Sequence, residues 1–239
     1  MHLFYSPSIN PSQIYSLDKE ESLHCVKVLR LKEKDIIYIT DGKGNLHKTE
    51  IIEASPRSCS VRVVETQEEF EKRDYYLHIA IAPTKNTSRL EWFLEKATEI
   101  GIDEITPIIC ENSERSVIKL ERLEKIIVSA MKQSLKAYMP TINPPTTFLE
   151  LLSKTNQTHK LLATCNVEGR KPLKEVYKPK ESVFIAIGPE GDFSKKEIEA
   201  ATNNNFQKIT FGKERLRTET AGVYAAASIH LLNQWKRQA

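Results

Sequence analysis

Two glycine-containing loops have the residue types and the spacing to bind a ligand through the main chain. Residues 187–193 (IGPEGDF) lead from a buried apolar strand to the start of a helix, and residues 211–221 (FGKERLRTETA) make the same transition. Gly188 and Gly191 permit positive φ angles and allow a ligand to approach the backbone closely. The second loop adds three cations and a helix N-terminus, which favours anions. Either loop alone is an ordinary strand-to-helix turn, but the two together indicate a pocket.

This pocket has no recognisable nucleophile, metal-ligand set or nucleotide motif. The sequence lacks the P-loop motif G-x-x-x-x-G-K-[ST], the dinucleotide motif G-x-G-x-x-G and the nucleophile motif G-x-S-x-G. Its four cysteines lie 34, 51 and 55 residues apart with no C-x-x-C pair, which excludes zinc and disulfide scaffolds. Group transfer from a reactive cofactor needs none of these groups, because positioning the reactants accomplishes much of the catalysis.

The chain after residue 74 alternates strands with helices. The apolar patterns predict strands at residues 76–83, 104–110, 160–165, 182–187 and 207–211, and helices at residues 88–100, 120–139, 147–152, 194–203 and 218–237. Buried strands that alternate with helices predict a mostly parallel α/β sheet. Because such sheets bind ligands beyond the carboxyl ends of their strands, both glycine loops are expected to line the site.

The N-terminal part of the chain has the pattern of a small β-rich unit. The sequence predicts strands at residues 35–40, 47–52 and 58–65, a short helix at residues 18–29 and an acidic linker at residues 67–74. The turn sequence DGKGN joins the first two strands as a hairpin. Gly42 and Gly44 form a G-x-G inside that hairpin with no helix after it, so they indicate a turn rather than a dinucleotide site.

Composition and charge narrow the class of protein. The 239 residues suffice for one or two domains, and 40% of them are apolar. No stretch approaches the roughly 20 apolar residues of a membrane span, and the N-terminus lacks a signal-peptide pattern, so we expect a soluble, cytoplasmic protein. The net charge is +3, but residues 112–180 carry 13 basic and 6 acidic groups. Such a basic block is expected either of a surface that meets a polyanion or of solvated helices.

Two long motifs carry a resemblance to a known family. IGPEGDFS (residues 187–194) and LRTETAGV (residues 216–223) closely resemble the bacterial family that methylates N3 of a uridine (position 1498) in 16S ribosomal RNA, within the SPOUT superfamily. Further motifs match in order at residues 24–32 (HCVKVLRLK), 96–108 (KATEIGIDEITPI), 113–117 (SERSV) and 132–134 (KQS). Asp192 replaces the commoner second glycine of G-P-E-G-G, and Lys136 stands where an arginine often follows the Q-S pair.

The resemblance implies a fold and an activity. The expected fold is α/β, with a PUA-like RNA-binding β-barrel at residues 1–70 and a SPOUT domain at residues 75–239 that ends in a deep trefoil knot. The implied enzyme is a homodimer that transfers the methyl group of S-adenosylmethionine (SAM) to 16S ribosomal RNA of the small subunit. It needs no metal.

We expect individual residues to have distinct roles in that methyl transfer. Three loops would hold the cofactor, through Gly188, Pro189, Glu190 and Gly191, through Gly212 and Leu216, and through Thr164, Cys165 and Asn166. Arg217 would stabilise negative charge that develops on the uracil, or would contact a phosphate. Glu219 would orient the substrate or accept a proton, or would serve as a favourable charge at a helix N-terminus.

RNA contacts are expected over both domains. The candidates are Arg30, Lys32, Lys85, Arg89, Arg115 and Lys132, each of which taken alone is compatible with a solvated surface charge. The target base must be unstacked to expose N3, and Phe193 either supports that base or packs beneath its own loop.

Two other functions remain open from the sequence. One is a non-catalytic RNA-binding or assembly factor, which the intact glycine loops disfavour and which cofactor binding would exclude. The other is a SPOUT enzyme that acts on a different RNA or on a ribose 2′-hydroxyl.

Overall fold

The computed structural model describes residues 1–234, which fold as two units. The first unit comprises residues 1–72 and 131–139, and the second comprises residues 73–130 and the chain from residue 140 onward. The sequence analysis assigns residues 131–139 to the second domain, whereas the structure groups them with the first unit. Among the described residues, no helix combines the length and the apolar character that crossing a membrane requires.

The first unit is built on a five-stranded sheet. Its elements are β1 (Leu3–Tyr5), β2 (Tyr15–Ser16), α1 (Lys19–Leu23), a π-helical turn (His24–Val28), β3 (Ile36–Thr40), β4 (Leu46–Glu53) and β5 (Ser60–Gln67). The strand order is β1-β3-β4-β5-β2, with β1 parallel to β3 and the other pairs antiparallel. The predicted hairpin is confirmed, and Asp41 shapes its turn by accepting N–H bonds from Lys43 and Asn45 at 2.7 and 3.1 Å.

The predicted helix at residues 18–29 is present in a modified form. Asp18 caps α1 by accepting the N–H of Glu21 at 2.8 Å, as the sequence pattern indicates. After α1 the backbone widens into the π-helical turn, which places Cys25 in the core of this unit. The sequence pattern does not reveal the widening, because it depends on burying Cys25 against Cys59 at an Sγ–Sγ distance of 3.9 Å.

The second unit is a parallel sheet with helices. Its elements are β6 (Tyr76–Ile81), α2 (Thr87–Ile100), β7 (Glu104–Ile109), α3 (Leu120–Gln133, whose last turn belongs to the first unit), β8 (Thr141–Ile142), β9 (Thr146–Thr147), α4 (Phe148–Leu152), β10 (His159–Ala163), β11 (Lys171–Pro172), α5 (Leu173–Val176), β12 (Ser182–Ile187), α6 (Lys195–Asn203), β13 (Gln207–Thr210) and α7 (Thr218–Gln234). The strand order is β11-β13-β10-β12-β6-β7-β8, with β9 beside β7, and every pair is parallel. The predicted parallel α/β sheet is confirmed.

Most predicted elements of this unit are present, and the exceptions have simple causes. The elements that the sequence analysis missed, such as β11 and α5, have two to four residues and too little periodicity to detect. The predicted end of the last helix, residues 235–237, lies outside the described residues.

The predicted helix at residues 120–139 ends early, at Gln133. Leu135 then adopts a left-handed φ of 57°, and the following residues bond to the hairpin of the first unit. The carbonyl of Ala137 accepts the Thr40 hydroxyl at 3.0 Å, and the N–H of Met139 donates to the carbonyl of Gly42 at 2.8 Å. These tertiary bonds replace the helical ones, so Pro140 is not what ends the helix.

The core of the second unit includes a cluster of aromatic rings. Phe148 and Phe193 lie 4.6 Å apart, and Phe184 meets Phe206 edge-on at 5.6 Å. All four side chains are buried. Phe193 therefore packs beneath its own loop, which was one of the two expectations for it.

Candidate active site

Three loops leave the sheet at the same level and line one cavity. Ala163, the last residue of β10, pairs with Ile187 at the end of β12 and with Ile209 in β13. The cavity between the loops that follow has a volume of about 720 Å³. The predicted site residues that line it are Thr164, Cys165, Gly188, Pro189, Glu190, Gly191, Gly212, Leu216 and Arg217.

Gly188 and Gly191 are required because neighbouring side chains lie close to them, and not because their backbone angles exclude other residues. Neither Gly188 nor Gly191 has a positive φ, which corrects the expectation from the sequence. A Cβ on Gly188 would lie 3.0 Å from the Phe193 ring, and one on Gly191 would lie 3.1 Å from Asn112. Gly212 does have a positive φ, 146°. Any larger residue would therefore push neighbouring atoms or strain the backbone of the cavity wall.

Asp192 supplies the left-handed residue of the first glycine loop. Its φ is 61°, a region that aspartate and asparagine tolerate better than most residues. Its Oδ2 accepts the Thr164 hydroxyl at 2.8 Å and the Cys165 N–H at 2.9 Å. The carboxylate that replaces the family's glycine therefore ties two walls of the cavity together.

Other bonds brace the same walls. The Asn112 amide donates to the carbonyls of Gly191 and Asp192 at 3.2 and 3.0 Å, and the buried Thr218 hydroxyl donates to the carbonyl of Gly188 at 3.1 Å. Asn166 does not line the cavity. Its N–H donates to the Thr164 hydroxyl at 3.1 Å, so it shapes the loop from behind.

The sequence analysis missed Asn112, Arg170 and Thr218 as site residues. Thr218 had a detectable signal, since it is the first residue of the helix that follows the second glycine loop. Asn112 and Arg170 stand in segments without a regular pattern, and only the folded chain brings Arg170 to the cavity and Asn112 to the first glycine loop. Arg170 donates from Nη1 to the carbonyl of Thr164 at 3.1 Å.

Two family models match the chain. One, described as an RNA methyltransferase domain, matches residues 71–230, and the other, described as an RNA methyltransferase PUA domain, matches residues 17–64. The chain belongs to the RNA methyltransferase family. The second match confirms the expected PUA-like N-terminal domain of this methyltransferase.

Individual relatives of the methyltransferase agree with that assignment. This chain is 30% identical over 211 residues to ribosomal RNA small subunit methyltransferase E of Mesomycoplasma hyopneumoniae. The matched region covers 85% of this chain and 88% of the relative. A crystal structure of a probable rRNA-methyltransferase from Porphyromonas gingivalis is 41% identical, with a TM-score of 0.93 over 99% of this chain and 100% of that one. A crystal structure of ribosomal RNA small subunit methyltransferase E from Neisseria gonorrhoeae, bound to S-adenosyl methionine, is 26% identical. Its TM-score is 0.87 over 97% of this chain and 98% of that one.

The two predicted catalytic residues of the methyltransferase differ in environment. Arg217 is exposed and lines the cavity, and its guanidinium has no ion-pair partner within residues 1–234. Glu219 is buried, does not line the cavity, and lies 3.7 Å from Nε of Arg89. The structure thus joins a predicted catalytic residue to a predicted RNA contact.

Three of the expected RNA contacts come together in the second unit of the methyltransferase. Nε of Arg115 donates to the carbonyl of Lys85 at 3.2 Å, and Nζ of Lys85 lies 3.0 Å from Glu114. The N–H of Lys85 donates to Glu190 at 3.3 Å, which links this segment to the first glycine loop. Arg89 follows on α2.

The expected contacts in the first unit are less uniform. Arg30 and Lys32 are exposed, and Arg30 has a left-handed φ of 58°. Lys132 instead forms an ion pair with Glu21, and its ammonium lies 5.7 Å from the centre of the Phe4 ring. Its side chain is 20% exposed, so it has a structural role within this unit and is the least available of the six.

Proposed function

We propose that this RNA methyltransferase uses SAM to methylate N3 of uridine 1498 in 16S ribosomal RNA of the small ribosomal subunit. The observation that carries the proposal is the single cavity lined by the loops after β10, β12 and β13, in a chain whose relatives are named for methylation of that subunit's RNA. The N3 position comes from the resemblance of residues 187–194 and 216–223 to the family motifs.

The residues present fit SAM. A cavity of about 720 Å³ lies within the range of about 300–1,000 Å³ that is typical of small-molecule sites. Gly188, Gly191 and Gly212 line the cavity, so no side chain at these positions stands between the main chain and the ligand. The groups proposed to hold it are those of Thr164, Cys165, Gly188, Pro189, Glu190, Gly191, Gly212 and Leu216, with Asn166 shaping the first of the three loops.

The cofactor supplies a methyl group on a positively charged sulfur, so the protein needs no nucleophile of its own. The N3–H of the uracil is only weakly acidic at neutral pH, and methylation at N3 releases its proton to solvent water. The task left to the protein is to favour that loss. Arg217 meets this need, because its unpaired guanidinium stabilises the negative charge that deprotonation leaves on the base.

Glu219 acts as a positioning residue in this scheme. Its buried carboxylate faces Arg89 rather than the cavity, so it orients that guanidinium toward RNA. The exposed Lys85 and the half-buried Arg89 and Arg115 contact phosphates near the target base, and the exposed Arg30 and Lys32 contact them from the first unit. Lys132 contributes only if RNA displaces Glu21.

The further parts of the proposal are a trefoil knot, a homodimer and a cytoplasmic location. Strand order supports the knot: β13 lies on one side of β10, yet the next helix, α7, packs against β6 and β12 on the other side. This arrangement supports a chain that passes the loops leaving β10 and β12, as a knot requires. Exposed Tyr224 and Leu231 on α7 support a second copy as a partner for that helix.

The cytoplasm is where the RNA substrate of such an enzyme is assembled.

The test is to incubate the protein with methyl-labelled SAM and unmodified small ribosomal subunits, and then to digest the RNA to nucleosides. Label in 3-methyluridine is the expected result. Label in another nucleoside would move the target, and absence of label together with absence of SAM binding would favour the non-catalytic RNA-binding factor. Gly212→Val is the matched control, because its Cβ would lie 2.8 Å from Glu214 in a strained backbone.

A further inference from the structure

Arg170 differs from the other cations that line the cavity. Within residues 1–234, the cations that line the cavity are Arg170, Lys213, Arg215 and Arg217. The last three are exposed and stand on the second glycine loop, whereas Arg170 is half-buried and comes from the chain just before β11. It is therefore part of the wall rather than of the rim.

The guanidinium of Arg170 is anchored at one nitrogen and unsatisfied at another. Nη1 donates to the carbonyl of Thr164 at 3.1 Å, in the same loop that Asp192 holds from the other side. Nε is buried and has no hydrogen-bond partner, and no carboxylate among residues 1–234 forms an ion pair with Arg170. A buried, unpaired guanidinium N–H costs free energy unless a ligand completes it.

We propose that Arg170 binds the carboxylate of the methionine part of SAM. This inference rests on the proposed function. An arginine presents its N–H groups in a planar fork that matches a carboxylate, and burial strengthens such a charge-assisted bond. The carboxylate is the one anionic group of SAM, so the site would use Arg170 to distinguish SAM from adenosine compounds that lack it.

An RNA phosphate is a weaker explanation for this residue. Phosphates of a large RNA reach exposed cations first, and Lys213, Arg215 and Arg217 supply three of them on the rim. Arg170 is half-buried in the cavity wall and its Nε is shielded from solvent, so its guanidinium is less available than those three cations to a phosphate of a large RNA.

The experiment compares binding of SAM with binding of decarboxylated SAM by isothermal titration calorimetry. The unaltered protein should bind SAM at least ~10-fold more tightly, as expected for loss of one charge-assisted hydrogen-bonded pair. Arg170→Gln should weaken SAM binding by about the same factor and leave the affinity for decarboxylated SAM within about twofold. Arg170→Lys keeps the charge but loses the fork, so its preference for SAM should be intermediate.

Several results would overturn the proposal. If Arg170→Gln bound SAM and decarboxylated SAM equally more weakly, Arg170 would only support the loop at Thr164. If it bound both with unchanged affinity, Arg170 would contact neither ligand. Loss of RNA affinity with SAM affinity unchanged would assign Arg170 to a phosphate. Failure of the unaltered protein to bind SAM at all would overturn the proposed function as well, and is recognisable because it needs no substitution. Should Arg170→Gln fail to fold, the Arg170→Lys comparison decides the same question.

Discussion

At the scale of single residues, Asp192 shows how a departure from a motif can be compensated. The sequence raises the concern that a carboxylate in place of glycine alters cofactor packing. In the structure the side chain accepts bonds from the Thr164 hydroxyl and the Cys165 N–H, and the backbone of Asp192 takes the left-handed conformation that glycine would supply. One residue thus provides both a backbone shape and a link between two loops.

Asp192→Gly separates these two contributions. Glycine keeps the φ of 61° accessible but removes both hydrogen bonds, so SAM affinity should fall about tenfold, as expected for charge-assisted bonds of about 1–3 kcal/mol in total. Asp192→Asn keeps an acceptor and tolerates the backbone angle, so its SAM affinity should fall less than that of Asp192→Gly. Calorimetric titration with SAM measures the affinity of both variants. If Asp192→Gly bound SAM as tightly as the unaltered protein, the link between the two loops would be dispensable.

Arg217→Ala should affect turnover rather than cofactor binding. If the guanidinium stabilises charge on the uracil, kcat should fall about 100-fold while SAM affinity stays within about threefold. Arg215→Ala is the matched control, since that cation also lines the cavity and is exposed. The opposite pattern, weaker SAM binding at normal kcat, would place Arg217 among the cofactor contacts.

At the scale of elements, local signals succeeded where side chains of the element itself set its limits. Ser194 and Glu197 form the capping box predicted for α6, with the Glu197 N–H donating to the Ser194 hydroxyl at 3.2 Å. Local signals failed where a residue distant in sequence determines where a helix ends. α3 stops at Gln133 because Ala137 and Met139 bond to the hairpin of the first unit.

Helix α7 packs closely on α2, and Gly222 makes this approach feasible. A Cβ at Gly222 would lie 2.5 Å from the Phe93 ring and 3.0 Å from Ile81. Gly222→Ala should therefore reduce the free energy of unfolding by about 1–3 kcal/mol, despite the better helix propensity of alanine. Denaturant unfolding measures the loss. Adding Phe93→Leu, which shortens the opposing side chain, should recover part of the packing cost, and full additivity of the two losses would refute the steric explanation.

At the scale of the whole molecule, the basic residues of the sequence separate into different roles. Arg115 and Lys85 form part of one cluster in the second unit, whereas Lys132 is held by Glu21 in the first unit and Arg170 is part of the cavity wall. Basic composition alone could not distinguish these roles, because each depends on which acidic group or carbonyl lies nearby after folding.

The stability of the molecule should fall in acid because of His78. Burial lowers the pKa of its imidazole to about 4, although Glu104 opposes the shift, and the ring bonds to the Thr106 hydroxyl at 2.7 Å. Below pH ~6.5 the unfolded chain takes up a proton that the folded chain refuses, so unfolding is favoured by at most about 1.4 kcal/mol per pH unit until pH ~4.

Unfolding free energies measured between pH 7 and 4 test this expectation. His78→Gln keeps a polar group in place of the imidazole and should flatten the dependence relative to the unaltered chain, with carboxyl titrations common to both. An identical slope in the two proteins would mean that His78 does not contribute.

The sequence by itself determined the class of fold, the hairpin, the parallel sheet and the two glycine loops, because those depend on local periodicity and on turn residues. Residues 187–194 and 216–223 also carried the family assignment. Only the tertiary structure decided that Asp192 joins two loops, that Arg170 is half-buried in the cavity wall, that Lys132 pairs with Glu21 and that Glu219 faces Arg89. The contacts of Asp192, Lys132 and Glu219 join residues 27 to 130 positions apart, and no spacing within the sequence specifies which charged group a folded chain brings beside another.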